Sequence, residues 1–434
     1  MKVVFNTALA MLCLFAAKSS TAQSADSSNV TTEISTSVSV QTDTTGHDKS
    51  YYREQMRKLQ AQMHDVQKQM NDLRAQEWRK TAEHMQQMGD RVNTRYNYNY
   101  TEGAAHTYTR GDDFIDKKIA SGEVKEKTKT YTKSYPVSAT DQVQIQNVFG
   151  KVAVNTWEKN EVKVDVEIKA DGDDDASAQK ILDKVSIKDG KDADGVSFKT
   201  YIEKNDEDNN WGSWTDSGKT HVKRVVVNYT VYMPAKNALN LSNKFGTVTV
   251  PDLIGKVSLN LNFSSLVAQQ LLSPLNELNI RFGDANIGTL NSDQFNISYG
   301  NAKIGTADKL KAKVSFAGLN VDKLKTSGDI TLKYTRGGVG LKVGELDKSL
   351  KALNVDASFS KVDLNADDDF DFDISTKMGG FDYNNASVNV TDKSPVDGER
   401  GYHPNKTYKG HAGKKGSNKT VTIKSSYTKV TLDK

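Results

Sequence analysis

Cysteine occurs once in the 434 residues, at Cys13, and proline six times. A chain without thiols beyond position 13 has no disulfide framework, no thiolate zinc site and no cysteine nucleophile there. Charge of one sign is also missing: 59 Lys and Arg stand against 55 Asp and Glu. Such a balance excludes the basic footprint of a nucleic-acid-binding chain. The seven histidines lie scattered at 47, 64, 84, 106, 221, 403 and 411. HExxH, Gly-x-Ser-x-Gly and Walker-type loops are absent, so the commonest hydrolase and nucleotide-binding signatures are missing.

What is present begins with an export signal. Lys2 precedes an apolar stretch from Val3 to Ala17, and Ser20-Thr21-Ala22 puts small residues at −3 and −1 before Gln23. This is the pattern of a signal peptide over residues 1–22. The apolar run is shorter than the roughly 20 residues a spanning helix needs, so no transmembrane span is expected in the mature chain. Residues 23–49 are rich in Ser and Thr and poor in large apolar groups, which predicts a flexible leader.

Residues 50–92 have a helical period. Tyr52, Met56, Leu59, Met63, Val66, Met70 and Leu73 follow a 4-3-4-3 spacing. That spacing predicts one long amphipathic helix, either a coiled coil joining copies of the chain or a single helix on the following domain. Residues 93–133 read as a polar linker.

The main signal is an internal repeat. Leu278-Asn-Ile280-Arg-Phe282-Gly283-Asp-Ala285-Asn-Ile287 is followed by Phe295-Asn-Ile297-Ser-Tyr299-Gly300-Asn-Ala302-Lys-Ile304. Each copy has an aromatic centre, apolar residues at −4, −2, +3 and +5, and usually Gly or Ser at +1. Further centres are Phe149, Phe245, Phe263, Phe316, Tyr334 and Phe359, with weaker ones at Met378 and Tyr427. Alternation on both sides of the centre predicts two short strands per copy, each with one buried face. Stacked copies of about 17–19 residues predict a mainly β fold, a β-solenoid with the aromatics in an interior ladder. The Gly at +1 is expected to supply the unusual dihedrals of the bend. An outer-membrane barrel is disfavoured, because its strands need about 9–11 residues.

Domain boundaries follow. Residues 134–239 form an N-terminal β-rich subdomain containing strands over 162–168 and 225–231. It also holds a helix over 176–185, capped by Asp175 or Ser177. Residues 240–434 carry the repeats, with a Gly/Lys-rich loop at 391–419 and a final strand pair over 421–432. Asp367, Asp368, Asp369, Asp371 and Asp373 crowd together. Calcium binds such oxygens, but alternation with Phe370 and Phe372 favours a solvated outer face with the rings turned inward. Asp206 to Trp211 reads as a hairpin loop and Asp189 to Gly195 as a turn.

The segment Val148-Phe149-Gly150-Lys-Val152-Ala-Val154-Asn-Thr-Trp157, with Asn228-Tyr229-Thr-Val231-Tyr-Met-Pro234 and Leu241-Ser-Asn243-Lys-Phe245-Gly246, resembles a bacterial family of secreted adhesin-type proteins. The resemblance covers roughly residues 134–434. It implies Gly-centred β-repeats and an activity that is undefined rather than enzymatic. The chain departs from that pattern in its Met-rich helical segment and in the Phe or Tyr before many of the glycines.

The reading is a secreted cell-envelope, adhesin-like binding protein without catalytic, cofactor-binding or metal site residues. Its partners are a surface glycan or protein, or an envelope component, and residues 50–92 could join copies of the chain. It is exported to the periplasm, the outer membrane or the cell surface. A periplasmic structural or stress-response accessory is the alternative, and a β-helical carbohydrate-active enzyme the third reading.

Overall fold

The computed structural model describes residues 110–203, 212–216, 219–335, 340–383 and 387–433. Two short helices are present among them, α1 (Arg110–Ala120) and α2 (Asp175–Asp183). Twenty-four strands make up the rest: β1 (Lys125–Pro136), β2 (Gln142–Val148), β3 (Val152–Thr156), β4 (Glu161–Gly172), β5 (Val185–Lys191), β6 (Gly195–Ile202), β7 (Gly212–Asp216) and β8 (Lys219–Met233) come first. Then follow β9 (Ala238–Val250), β10 (Val257–Leu271), β11 (Glu277–Arg281), β12 (Ala285–Ser298), β13 (Asn301–Ser315), β14 (Gly318–Leu324), β15 (Ser327–Lys333) and β16 (Leu341–Leu346). The last are β17 (Ala352–Ser358), β18 (Lys361–Asn365), β19 (Phe370–Lys377), β20 (Gly380–Asp382), β21 (Val388–Ser394), β22 (Asn405–Ala412), β23 (Thr420–Ser426) and β24 (Lys429–Asp433).

This corrects the expected fold class. Among the described residues the strands form one large mixed sheet rather than a solenoid, and the helices are two short ones. Antiparallel pairs β1–β4, β4–β8, β5–β6, β19–β22 and β21–β22 are built into it beside the parallel ones. The helix and coiled coil expected over 50–92 lie outside the described residues, as do the leader, the signal segment and Asp206 to Trp211.

Parallel pairing puts equivalent positions of successive copies side by side. Leu259 faces Leu278, Leu278 faces Phe295, and Phe295 faces Ala312. One rung is therefore a strand, a corner and a second strand, and the sheet folds over at the corners into two leaves. The inward residues of both leaves, such as Leu259, Ile280, Ile297, Val248, Leu266 and Ile287, join one hydrophobic core. A rung alone buries a few apolar side chains at about 1.5–3 kcal/mol each. That is too little to order it by itself, so stability comes from stacking on neighbours.

The two ends of the stack are finished differently. Between the first corner and the second, residues 161–233 supply β4 to β8 and α2, which lie on β2 and β3. Asp174, not Asp175 or Ser177, caps α2, its carboxylate accepting from the Ser177 backbone N–H. At the other end the chain's last two strands thread back into the stack. β23 lies between β17 and β19, and β24 between β18 and β20. The stretch read as a loop at 391–419 contains β22, which with β21 extends the sheet past β19. The stretch read as a linker at 93–133 contains α1 and the start of β1.

Candidate binding face

The corners hold the unusual chemistry. Phe149, Phe245, Phe263, Phe282, Tyr299, Phe316, Tyr334, Phe359, Met378 and Tyr427 all have positive φ, between 50° and 65°. Bulky side chains avoid this left-handed region, at a cost of about 1–2 kcal/mol per residue. Such strain persists only where the surroundings fix it, and it concentrates where a chain does something. The expected role of the following glycine is thus corrected: the aromatic itself makes the bend, and of the glycines at +1 among the described residues Gly246 alone has positive φ. Gly283 and Gly300 answer a different need, close approach of neighbouring rungs. A Cβ at Gly283 would lie 2.1 Å from the Ser264 carbonyl oxygen, and one at Gly300 2.1 Å from that of Gly283.

A left-handed corner turns its side chain out of the core. The rings of Phe149, Phe245, Phe263, Phe282, Tyr299, Phe316, Tyr334, Phe359 and Tyr427 stack in one continuous column. Successive centroids are 4.7–5.3 Å apart and ring planes within 19° of parallel. The step equals the spacing between hydrogen-bonded strands. Each contact contributes roughly 0.5–1.5 kcal/mol beyond burial, which offsets much of the dihedral strain.

This column is not the interior ladder that the repeat predicts. Phe245 is 8% exposed, but Tyr334, Phe359 and Tyr427 are 49%, 46% and 50% exposed. Neighbours cover the ring faces, while the ring edges form a stripe along the outside. At its far end Tyr402 donates a hydrogen bond to the Met378 sulfur.

Polar groups brace the first corners from within. Asn147 donates to the Val227 carbonyl and accepts from Thr200, whose hydroxyl also meets that of Tyr229. Asn243 donates to the Gly150 carbonyl and to Ser264 Oγ. Trp157 is bound the same way: its indole N–H donates to the Glu161 carbonyl and its ring stacks on Tyr232 at 5.4 Å.

The acidic run over 367–373 is taken up by its own neighbours. Phe370 and Phe372 are buried. Asp369 accepts from the Lys414 backbone N–H, and Asp371 from that of Gly416. Asp368 pairs with Lys419 at 3.7 Å and Asp373 with Lys409 at 3.2 Å. Among the described residues no three His, Cys, Asp or Glu are grouped to hold a metal ion. His221 contacts Asp173 through Nδ1, and His411 faces the Gly413 carbonyl. Burial pushes the Tyr131 and Tyr229 hydroxyls well up, and Asp347 and Lys323 shift each other without forming a reactive pair. Hydrogen bonds from Lys323 and Ser349 hold the Asp347 carboxyl well below the usual range, and Asp347 with Glu345 pushes Lys323 up. No helix among the described residues is long and apolar enough to cross a membrane.

No family model and no curated protein matches the chain. Solved structures do. A Clostridium sporogenes protein designated a cell adhesion protein is 10% identical, with 71% of this chain and 99% of that one covered at a TM-score of 0.18. A Bacteroides fragilis protein designated an adhesin is 10% identical over 70% of this chain and 97% of that one, at 0.24. A Parabacteroides distasonis protein designated lipid-binding is 10% identical over 54% and 81%, at 0.22. At such identities and scores, function has to be argued from the chain's own residues.

The aromatic centres were visible in the sequence by their spacing. Their outward direction was not, because alternation distinguishes two faces of a strand but not the side chain of a corner residue.

Proposed function

We propose that the protein is an exported, adhesin-like binding protein of the cell envelope, and that the aromatic stripe is its contact face. One observation carries this reading: every rung places a large side chain in a strained left-handed corner, and all but Phe245 are at least partly exposed. Folding alone has a simpler solution there, since Gly and Asn reach this region at little cost. Repeating aromatics at that position keep a continuous apolar edge along the stack. The protein acts by holding a partner rather than by transforming it. The stripe offers ring edges, a surface for contact.

Replacing Tyr334, Phe359 and Tyr427 together with Asn tests the proposal. Asn tolerates the corner dihedrals, so the fold should survive with a melting temperature lowered by a few degrees. Attachment of beads coated with the variant to its own bacterial surface or to host cells should fall at least tenfold. Unchanged attachment would make the column a purely internal brace. Protease treatment of intact cells, against a periplasmic marker, separates a surface protein from a periplasmic one.

A further inference from the structure

We propose that the C-terminal end of the stack recognises itself: a second copy of the chain docks there by the same end, about a two-fold axis along the strands.

The two leaves do not end together. In the first leaf β19 is followed by β22 and then β21. In the second, β20 pairs with β24 and, among the described residues, with no strand beyond it. The first leaf therefore overhangs the second by two strands. Phe370 and Phe372 on β19 are 0% and 4% exposed. Register continues their rows to Val388 and Val390 on β21, which stay partly exposed, as does Tyr408 beside Ile374. The rings of Phe381 and Tyr383 reach Tyr408 at 5.1 and 5.9 Å between centroids, and no described strand lies opposite the overhang beyond them.

The edge of β20 is open as well. Gly380 donates to the Thr428 carbonyl at 3.2 Å, so the next N–H, that of Phe381, points away from β24. An open cleft of about 580 Å³ adjoins this strand, lined by Gly380, Phe381, Asp382, Tyr383 and Lys429. The connection between β21 and β22 carries Val396 and Tyr402. At 62% and 76% these are the most exposed large apolar side chains among the described residues.

The N-terminal end shows how the fold closes such a gap from within. There too the leaves are uneven, with β6 and β5 beyond β2 and with β8, β4 and β1 beyond β3. Helix α2 packs on β4 and β1, and its Ile181 and Leu182 join the common core. Edge strand β1 carries four Lys against one Glu, a charge that discourages further pairing. At the C-terminal end no helix among the described residues takes the place of α2. Residues 380–410 hold four acidic and four basic side chains, so a like end meets them without net repulsion.

The shape selects the occupant. A two-fold axis parallel to the strands exchanges the leaves, so the long leaf of each copy continues the short leaf of the other. The inner faces of the two overhangs then pack on one another, and β21 of one copy runs beside β20 of the other. Two strands span only about 10 Å, so the contact is smaller than a standard interface and the dimer should be reversible. Both sets of corners lie on the same side, which joins the two aromatic stripes end to end. That consequence, unlike the dimer, rests on the column being a contact face.

Sedimentation velocity of the purified full chain should show a reversible monomer–dimer equilibrium between about 1 and 100 μM. Amide exchange over the same range should show residues 380–383 and 388–390 gaining protection as the dimer forms. Val396→Asp/Tyr402→Asp brings four carboxylates together where the two hairpin tips meet. It should raise the dissociation constant at least about tenfold, with circular dichroism unchanged. If that variant misfolds, Val396→Asp alone should raise it at least about threefold. A monomer at every concentration, a dimer indifferent to the folded variants, or protection gained only elsewhere overturns the proposal. Protection of 380–383 that is independent of concentration means that a segment of the same chain covers the edge, and overturns it too. None of these readouts involves cell attachment, so the dimer and the contact face fail separately.

Discussion

The first rungs and the last solve the problem of an open-ended stack in opposite ways. At the N-terminal end an insertion between two corners, β4 to β8 with α2, covers both leaves, and its contacts include buried polar groups: Asn147, Thr200, Asn243 and the Asp171–Arg224 pair. At the C-terminal end the cover is the strand pair β23 and β24, whose Val421, Ile423, Val430 and Leu432 are each no more than 2% exposed, with buried Ser425 and Thr428 bonded to backbone groups. The first design fixes geometry with directional bonds that are costly to break singly. The second depends on a strand pair with partners on both sides. The ends therefore differ in what destabilises them: one buried charge at the first, one strand pair at the second.

Removing residues 420–434 should have the largest effect. β17 and β18 would each lose one of two neighbours, and β19, β20, β21 and β22 would lose the rung on which they stand. Each of the four apolar side chains named above contributes roughly 1.5–3 kcal/mol. Amide exchange should show residues 370–412 unprotected and β9 to β13 still protected. Protection of 370–412 at parental levels would mean that the terminal rung is an accessory, and the contrast between the ends would collapse.

The same contrast explains what could be read from the sequence. Alternation around Phe282 fixed β11 and the start of β12, because one buried face forces period two. Val421 to Leu432 could be recognised as a strand pair, but not as one inserted between β17 and β19. Adjacency in space is set by pairing, and the repeat units are too alike for sequence to rank their partners. The loop read over 391–419 hid β22, whose residues are largely polar because its exposed pattern carries little apolar alternation. The solenoid expectation assumed that every neighbour is parallel. The antiparallel strands at both ends have no counterpart in the repeat that could have announced them. For the contact face, spacing identified the residues, and only the positive φ of the corners showed that they point outward.

A smaller effect is expected at the N-terminal end. Arg224 donates through Nε to Asp171 at 2.5 Å and reaches Asp116 of α1 at 3.4 Å. Asp171 is fully buried, and burial raises its pKa although Arg224 pulls it down. Arg224→Met leaves that carboxylate without its charge partner and should cost about 3–5 kcal/mol at neutral pH. Asp171→Leu in the same chain should restore much of the loss. The sign with pH follows from the raised value. A carboxyl whose folded pKa lies above its unfolded one adds stability below the unfolded pKa, and that is lost as pH rises through the folded one. The deficit of Arg224→Met should therefore shrink on acidification towards pH 4, read as melting temperature against pH. A deficit independent of pH would assign the effect to lost packing of the arginine stem.

The smallest effect should come from the middle of the stack, where neither end's device operates. Lys323 on β14 bridges Glu345 and Asp347 at 2.7 and 2.8 Å, at a partly exposed position. Asp347 is held low by Lys323 and by the Ser349 hydroxyl and backbone N–H. A depressed carboxyl contributes stability above its unfolded pKa and loses it as pH falls through the folded one. Asp347→Asn should thus lower the melting temperature slightly at neutral pH, and the difference should close under strongly acidic conditions. Exposed pairs are screened, so added salt should also narrow the gap. The pH trend has the same direction as that of Arg224→Met and a different cause: there the deficit closes because a buried carboxylate is discharged, here because the parent loses a favourable pair. A salt-insensitive Asp347→Asn deficit would place the effect in the Ser349 hydrogen bonds that close the turn, and would make this mid-stack loop, like the N-terminal end, a site where directional bonds rather than apolar stacking set the geometry.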